Sequence, residues 1–158
     1  MVQGRDPGGN ARLICGVDSN VLIYSAVESM PEHRKVLSFF ESRVLTGELN
    51  CAVSFPVLLE FIHITTDAKR FKPALTVEES IGIAAQYWNA SDWQRLLPKS
   101  TTGARVFELL KKHKLGRNRL LDTYLAAMLL ENGITALITC NTDDFAIFEE
   151  IRLIDPLA

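Results

Sequence analysis

Four acidic residues of this chain stand where a carboxylate needs a particular explanation. Asp18 comes directly after the apolar run 13–17, and Asp144 follows the apolar run 136–140 after a short turn. Acids at strand ends are commonly turn residues or helix caps, and this alternative remains open for either acid alone. Parallel strands, however, bring their carboxyl ends to the same edge of a sheet, where α/β proteins bind ligands. The two acids are therefore candidates for one site.

The other two acids, Glu60 and Asp122, fall in apolar helical segments. Glu60 is the only acid in the segment 55–64, which is apolar nearly all round, and apolar residues recur three, four and seven positions after Asp122. An ionised carboxylate in such a setting destabilises the fold by several kcal/mol unless a cation compensates it. A buried salt bridge is one explanation, but no lysine or arginine stands between Glu60 and Lys69.

A bound divalent cation would neutralise all four acids together. Carboxylate oxygens without a histidine requirement suit Mg²⁺ or Mn²⁺. A zinc site is not supported, because Cys15, Cys51 and Cys140 are widely separated and show no ligand spacing with the histidines. These cysteines are predicted to be buried thiols in a reducing cytosol. The sequence thus predicts a carboxylate centre for Mg²⁺ or Mn²⁺.

A short basic segment precedes Asp122. It places five of the seventeen basic residues within nine positions, namely Lys111, Lys112, Lys114, Arg117 and Arg119. The net charge of −2 gives no overall attraction to nucleic acid, so any binding would depend on a local patch of this kind. A solvated helix end is the alternative interpretation, because cations also complement the helix dipole there. The functional interpretation is that the segment contacts the phosphates of a nucleic acid.

The elements that must position these residues alternate between strands and helices. Short apolar runs predict buried parallel strands at 13–17, 50–54 and 136–140, a weaker strand at 93–97 and a terminal strand at 151–154. Helical periodicity occupies the segments between them. This alternation predicts an α/β fold, an α/β/α sandwich with a mainly parallel central sheet of about five strands.

Local signals predict where three helices begin. Ser29 stands three residues before Glu32, which is the spacing of a capping box, and Thr76 with Glu79 repeats it. The second box opens a stripe predicted to face the core: Val77, Ile81, Ala84, Ala85 and Trp88. Asn118 is predicted to cap the helix of Asp122. That helix would carry the apolar residues Leu121, Leu125, Met128 and Leu129 and end at Asn132 and Gly133.

Length and composition suit one domain. The chain has 158 residues, of which 47% are hydrophobic, and no repeat or linker divides it. Residues 1–11, which contain three glycines and Pro7, are predicted to be a flexible leader before a single domain at 12–158. No stretch is long and apolar enough for a membrane span, and the first residues lack a signal-peptide pattern. The protein is therefore expected to be soluble and cytoplasmic.

Four short motifs carry a family resemblance. They are the segments 17–23, 54–60, 121–133 and 139–145. The first reads Val-Asp-Ser-Asn-Val-Leu-Ile, and the last contains the pair Asp144-Phe145. Their order and spacing over about residues 13–156 resemble the PIN-domain nucleases.

This resemblance implies a metal-dependent endoribonuclease with Asp18, Glu60, Asp122 and Asp144 as its catalytic acids. By position, Asp18, Asp122 and Asp144 would hold Mg²⁺ or Mn²⁺, and Glu60 would orient or deprotonate the attacking water. The polar groups Ser19, Asn20 and Asn141 would support the acids. Some family members have another aspartate at the position of Asn141, so a fifth ligand is in question here.

The segment 65–76 is similar to the VapC-like branch of that family. Members of this branch are ribonuclease toxins held inactive by a cognate antitoxin. The resemblance implies an RNA substrate, an antitoxin partner and a homodimer, with apolar surface at Tyr24 and around Trp88 and Trp93 as candidate contacts.

Two other classes of function compete with a nuclease. A phosphoacceptor receiver domain also gathers acids at strand ends, but it requires an acidic pair after its first strand, and Asp18 is followed by Ser19 and Asn20. A catalytically silent scaffold of the same fold, binding RNA or protein, is the stronger alternative.

Overall fold

The computed structural model describes residues 12–158, so the predicted leader at 1–11 lies outside the described residues. A five-stranded sheet runs through the described chain in the order β3-β2-β1-β4-β5, and all its strands are parallel. The strands are β1 (Leu13–Val17), β2 (Leu49–Ser54), β3 (Gln94–Leu96), β4 (Ala136–Ile138) and β5 (Arg152–Ile154). The predicted fold class is confirmed, including the weaker third strand.

Helices flank this sheet and connect its strands. They are α1 (Ser19–Ala26), α2 (His33–Phe39), α3 (Phe55–Thr65), α4 (Val77–Asn89), α5 (Thr102–His113), α6 (Leu120–Glu131) and α7 (Thr142–Phe145). A π-helical turn at Phe40–Val44 continues α2, and a 3₁₀ turn at Arg117–Arg119 precedes α6. None of the helices within residues 12–158 has the length and apolar character needed to cross a membrane.

The central strand β1 brings the first acid to the edge where parallel strands end. Asp18 follows β1, and β2 ends at Ser54, whose hydroxyl accepts from the Val57 N–H at 3.3 Å and so starts α3. Gly16 in β1 has no side chain to hold α6 away, since a Cβ there would lie 2.5 Å from Leu129 Cδ2. The helix of Asp122 therefore packs close to the strand of Asp18.

The predicted helix starts had mixed outcomes. The box at Thr76 and Glu79 is confirmed, with the Glu79 N–H donating to Thr76 Oγ1 at 3.1 Å and the Thr76 N–H donating to Glu79 Oε2 at 2.9 Å. The box at Ser29 and Glu32 is wrong, because Glu32 itself has helical backbone angles and α2 begins at His33 without a side-chain cap.

Asn118 does not cap α6. It lies inside the 3₁₀ turn, so the chain is already helical before α6 begins at Leu120, and Arg119 occupies the cap position without a side-chain bond. The other end of α6 is as predicted, because the chain leaves the helix at Asn132 and Gly133 takes a φ of +69°.

The apolar stripe predicted for α4 is only partly correct: Ala84 is buried and Trp88 is half-buried, whereas Val77, Ile81 and Ala85 are exposed. Val77 and Ile81 are 59% and 50% exposed, and the core side of α4 is formed by Ser80 and Ala84. Ser80 can face the core because its hydroxyl lies 2.7 Å from that of buried Thr65, which satisfies both polar groups. Leu121, one of the apolar residues predicted to lie on α6, is likewise 59% exposed, whereas Leu125, Met128 and Leu129 are buried.

The three cysteines partly follow expectation. Cys15 and Cys51 are buried free thiols, as predicted, whereas Cys140 is only half-buried.

Candidate active site

Asp18 is the most enclosed of the four candidate acids, with 6% of its surface exposed. Its Oδ1 accepts from the Ser19 N–H at 2.8 Å, and its Oδ2 accepts from the Thr139 hydroxyl at 2.8 Å and the Asn20 amide at 3.2 Å. Burial raises the pKa of Asp18 to about 6 despite these donors, and nearby Glu60 raises it further. The carboxylate is therefore fixed in position but held in a setting that disfavours its negative charge.

Glu60 joins Asp18 through a shared neighbour. The Ser19 hydroxyl donates to Glu60 Oε2 at 2.9 Å, while the Ser19 N–H donates to Asp18. Glu60 is half-buried on α3, and together with Asp18 and Asp122 it lines a small cavity walled by apolar side chains. Exposed Leu121 contributes to that wall, which gives this side chain a place in the site rather than in the core.

Asp122 lies in the first turn of α6 and is influenced by all three other acids. Burial raises its pKa to about 6, and the charges of Asp18, Asp144 and Glu60 raise it as well. Arg119 opposes these effects and lowers the pKa. The four predicted acids are thus close enough to repel one another electrostatically.

Asp144 lies at the outer side of this cluster, because its side chain is exposed on the short helix α7. Arg119 connects it to Asp122. The Arg119 Nη2 donates to the backbone carbonyl of Asp144, and the Arg119 Nε lies 3.6 Å from Asp122 Oδ2. That Nε is inaccessible to solvent and has no hydrogen-bond partner. Arg119 therefore lies between Asp122 and Asp144 at the edge of the acid cluster, with 26% of its side chain exposed.

Two of the three predicted supporting residues contact the acids as expected. Asn20 donates to Asp18 and also accepts from the Cys140 N–H at 3.2 Å, whereas the Ser19 hydroxyl supports Glu60. Exposed Asn141 reaches the network through its backbone, whose N–H donates to Thr139 Oγ1 at 3.0 Å.

Thr139 is the supporting residue that sequence reasoning missed. It is fully buried after β4, and its hydroxyl donates to Asp18 across a separation of 121 residues. Its position near the end of the predicted strand 136–140, in the motif that also holds Asp144, was the available signal.

The cluster suits a hard divalent cation in charge and in donor type. All four side chains offer oxygen ligands. Burial disfavours the ionised forms of Asp18 and Asp122, and a nearby positive charge would stabilise these forms. Within residues 12–158, no group of three or more acids, cysteines or histidines converges closely enough to hold one ion directly. Binding would therefore require side-chain rotation or water molecules that complete the coordination.

The remaining basic residues of the segment 111–119 are exposed, as phosphate contacts must be. These are Lys111, Lys112, Lys114 and Arg117. Arg119 differs from them in burial and in partners, so its assignment as a simple phosphate contact does not match its surroundings.

A substitution distinguishes these two roles. Arg119→Gln is expected to raise the pKa of Asp122, because the lowering effect of the guanidinium is lost. The acid limb of the pH profile of the metal-dependent RNA cleavage predicted from the sequence should then move to higher pH, since a carboxyl that is to bind a cation must be deprotonated. Lys111→Gln is the control and should weaken RNA binding without moving that limb. Identical pH profiles for the two variants would contradict the placement of Arg119 in the cluster.

The family profile described as "PIN domain" matches residues 16–151, which is most of the chain. Among curated proteins, the chain is similar to "Ribonuclease VapC33" of Mycobacterium tuberculosis. The two are 26% identical over 144 residues, which covers 89% of this chain and 96% of that protein.

Solved structures show the same fold. The "Sarcin-Ricin loop cleaving toxin" VapC20 of Mycobacterium tuberculosis superposes with a TM-score of 0.65 at 15% identity, covering 84% of this chain and 93% of the other. A "Toxin-antitoxin complex from Klebsiella pneumoniae" gives a TM-score of 0.57 at 18% identity, covering 90% of this chain and 97% of that one. The family profile begins inside β1, ends just before β5 and includes all four acids, so this chain belongs to the PIN domain family.

Proposed function

We propose that residues 12–158 form one nuclease domain that hydrolyses RNA phosphodiester bonds with Mg²⁺ or Mn²⁺, as the toxin of a toxin-antitoxin pair acting in the cytoplasm. The observation that carries this proposal is the electrostatic proximity of four acids at one edge of the sheet, two of which have a pKa of about 6. Such an arrangement destabilises a metal-free fold and is hard to explain without a cationic ligand. The similarity to a protein named ribonuclease supports RNA as the substrate.

In this mechanism Asp18, Asp122 and Asp144 would hold the cation, and Glu60 would orient or deprotonate the attacking water. The bound ion would supply positive charge for the scissile phosphate and a lower pKa for the attacking water. The Ser19 hydroxyl engages Glu60 Oε2, which leaves Oε1 to accept a proton from that water. Attack in line with the 3′ oxygen then breaks the phosphodiester bond. The 2′-hydroxyl takes no chemical part, so selectivity for RNA depends on binding.

An antitoxin and a second copy of the chain are the proposed protein partners. The solved toxin-antitoxin complex from Klebsiella pneumoniae supports the antitoxin, because its fold matches most of this chain. Apolar side chains exposed on neighbouring helices support a homodimer contact: Phe55 and Leu59 of α3, and Val77 and Ile81 of α4. Half-buried Trp88 continues this surface through a ring contact with Phe55. Tyr24 and Trp93, the other candidate contacts predicted from the sequence, remain part of this proposal.

Cleavage of labelled RNA tests the proposed activity. Structured and unstructured RNA should be cleaved with Mg²⁺ or Mn²⁺ present, and excess EDTA should stop the reaction. Readdition of Mn²⁺ should restore it. Binding of RNA without cleavage under all these conditions would favour the silent scaffold instead, because the same fold and basic segment can bind without hydrolysing.

A further inference from the structure

The Arg119 guanidinium contacts both helices that carry the outer acids of the cluster. Its Nε lies 3.6 Å from Asp122 Oδ2 in the first turn of α6, and its Nη2 donates to the backbone carbonyl of Asp144 on α7. A positive charge built into the chain therefore already stands between Asp122 and Asp144, two of the residues proposed to hold a cation.

Arg119 has a fixed backbone and a weakly held side chain. Its N–H donates to the Gly116 carbonyl at 3.1 Å, and its own carbonyl accepts from the Thr123 hydroxyl at 2.8 Å. The side chains of Arg119 and Asp122 are 26% and 27% exposed, and an ion pair with this exposure contributes little to stability. The guanidinium can therefore leave Asp122 by rotation of its side chain, without movement of the backbone.

A divalent cation needs the carboxylate oxygen that the guanidinium now faces. Mg²⁺ and Mn²⁺ bind carboxylate oxygens, and Asp122 Oδ2 is the atom nearest to the Arg119 Nε in this ion pair. Arginine stays charged and has no atom that can act as a ligand. Because two positive charges a few ångströms apart repel each other, the guanidinium and the cation cannot both occupy this place.

The charges around Asp122 agree with this geometry. Asp18, Asp144 and Glu60 disfavour the ionised form of Asp122, whereas Arg119 favours it. The guanidinium thus acts on Asp122 in the same direction as a bound cation would.

We propose that Arg119 is an internal competitor of the cation, which neutralises Asp122 in the metal-free protein and leaves this carboxylate when Mg²⁺ or Mn²⁺ binds. The inference rests on the proposed function and adds a residue that sets the cation affinity of the same centre. By linkage, the cation weakens the contact of Arg119 with Asp122 by the factor by which that contact weakens cation binding. Arg119 thereby raises the cation concentration at which the centre fills.

Titration with Mn²⁺ in the absence of RNA tests the competition. Free Mn²⁺ is followed by electron paramagnetic resonance at pH 8, well above the pKa of about 6 of Asp18 and Asp122. Arg119→Gln removes the charge but keeps an amide that can donate to the Asp144 carbonyl. The variant is expected to bind Mn²⁺ about fivefold more tightly than wild type, or tighter still, the usual scale of coupling between two ligands.

Arg105→Gln is the matched control. Arg105 has nearly the same side-chain exposure, 25%, but pairs with Glu108 and Glu150 instead of the clustered acids. Its replacement should leave the Mn²⁺ affinity unchanged, and melting curves check that both variants are folded.

Chemical modification of wild-type protein tests whether the side chain leaves. Phenylglyoxal reacts with accessible guanidinium groups, and mass spectrometry measures the rate at each arginine. Saturating Mg²⁺ should increase the rate at Arg119 by about fivefold or more, on the same scale of coupling, and leave the rate at Arg105 unchanged.

Two results would overturn the inference alone. One is Mn²⁺ binding by Arg119→Gln that is equal to or weaker than that of wild type, and the other is a modification rate at Arg119 that bound Mg²⁺ does not change. Absence of Mn²⁺ binding by both wild type and Arg119→Gln would instead overturn the metal centre of the proposed function, and the competition with it.

Discussion

Replacement of Asp18 by asparagine is expected to lower the rate of metal-dependent RNA cleavage by at least about a hundredfold, the scale on which removal of one electrostatic contact acts in an active site. The fold should survive. Asparagine keeps an oxygen for the Ser19 N–H, and its amide can donate to the Thr139 hydroxyl, which rotates to accept, so only the Asn20 amide loses its acceptor. The loss is therefore one of charge at the centre, measured as kcat at saturating Mn²⁺.

Asp92→Asn is the control for this experiment, because Asp92 is an exposed acid in the loop after α4. It should keep wild-type activity. Full activity of Asp18→Asn in a correctly folded protein would exclude Asp18 from the catalytic centre and with it the assignment of the first motif.

Manganese should stabilise the folded protein in a manner that depends on pH. At about ten to a hundred times its dissociation constant, Mn²⁺ should add ~1–3 kcal/mol to the free energy of unfolding. For a chain of this size that raises the melting temperature by about 2–4 °C per kcal/mol. The stabilisation by Mn²⁺ should be full at pH 7.5 and small at pH 5. Asp18 and Asp122 each have a pKa of about 6, so at pH 5 both are mostly protonated and bind a cation weakly.

Without Mn²⁺, the free energy of unfolding should instead decrease as the pH rises from 5 to 7.5. A carboxyl whose pKa is raised in the folded state stabilises the fold fully at pH values below 3.8, its pKa in the unfolded chain. That stabilisation is lost as the pH rises through about 6, its pKa in the folded protein. Asp122→Asn should therefore raise the metal-free melting temperature at pH 7.5 and reduce the Mn²⁺ increment.

A buried salt-bridge network predicts the reverse, because removal of Asp122 would leave Arg119 without its ionic partner. The variant would then be less stable than wild type, and Mn²⁺ would have little effect on either protein. Three acids that repel Asp122 outweigh the single arginine at 3.6 Å, so the metal-linked result is expected.

The sheet and the identity of the clustered acids were accessible from sequence because both depend on local patterns. Each strand is a short apolar run, and parallel pairing then brings Asp18 and the segment after β4 to one edge. Glu60 is less buried than the apolar segment 55–64 indicated. Apolar side chains of this segment do not all face the core, since Phe55 and Leu59 are about half exposed.

Features that depend on distant contacts were not accessible. The hydroxyl of Thr139 supports Asp18 across 121 residues, and the Ser80 hydroxyl faces the core only because Thr65 lies opposite. Arg119 looked like one cation in a basic run. Its enclosure between Asp122 and the Asp144 carbonyl follows from the packing of α7 beside α6, which no local pattern records.

Direct titration with Mn²⁺, followed by electron paramagnetic resonance of the free ion at pH 7.5, measures whether the acid cluster binds a divalent cation. Wild-type protein should remove free Mn²⁺ from solution with a dissociation constant in the millimolar range or tighter. Asp122→Asn should weaken that binding by at least about tenfold, and Asp92→Asn should leave it unchanged. Equal binding by wild type and Asp122→Asn, or no binding by either, would contradict a metal-dependent centre at these four acids.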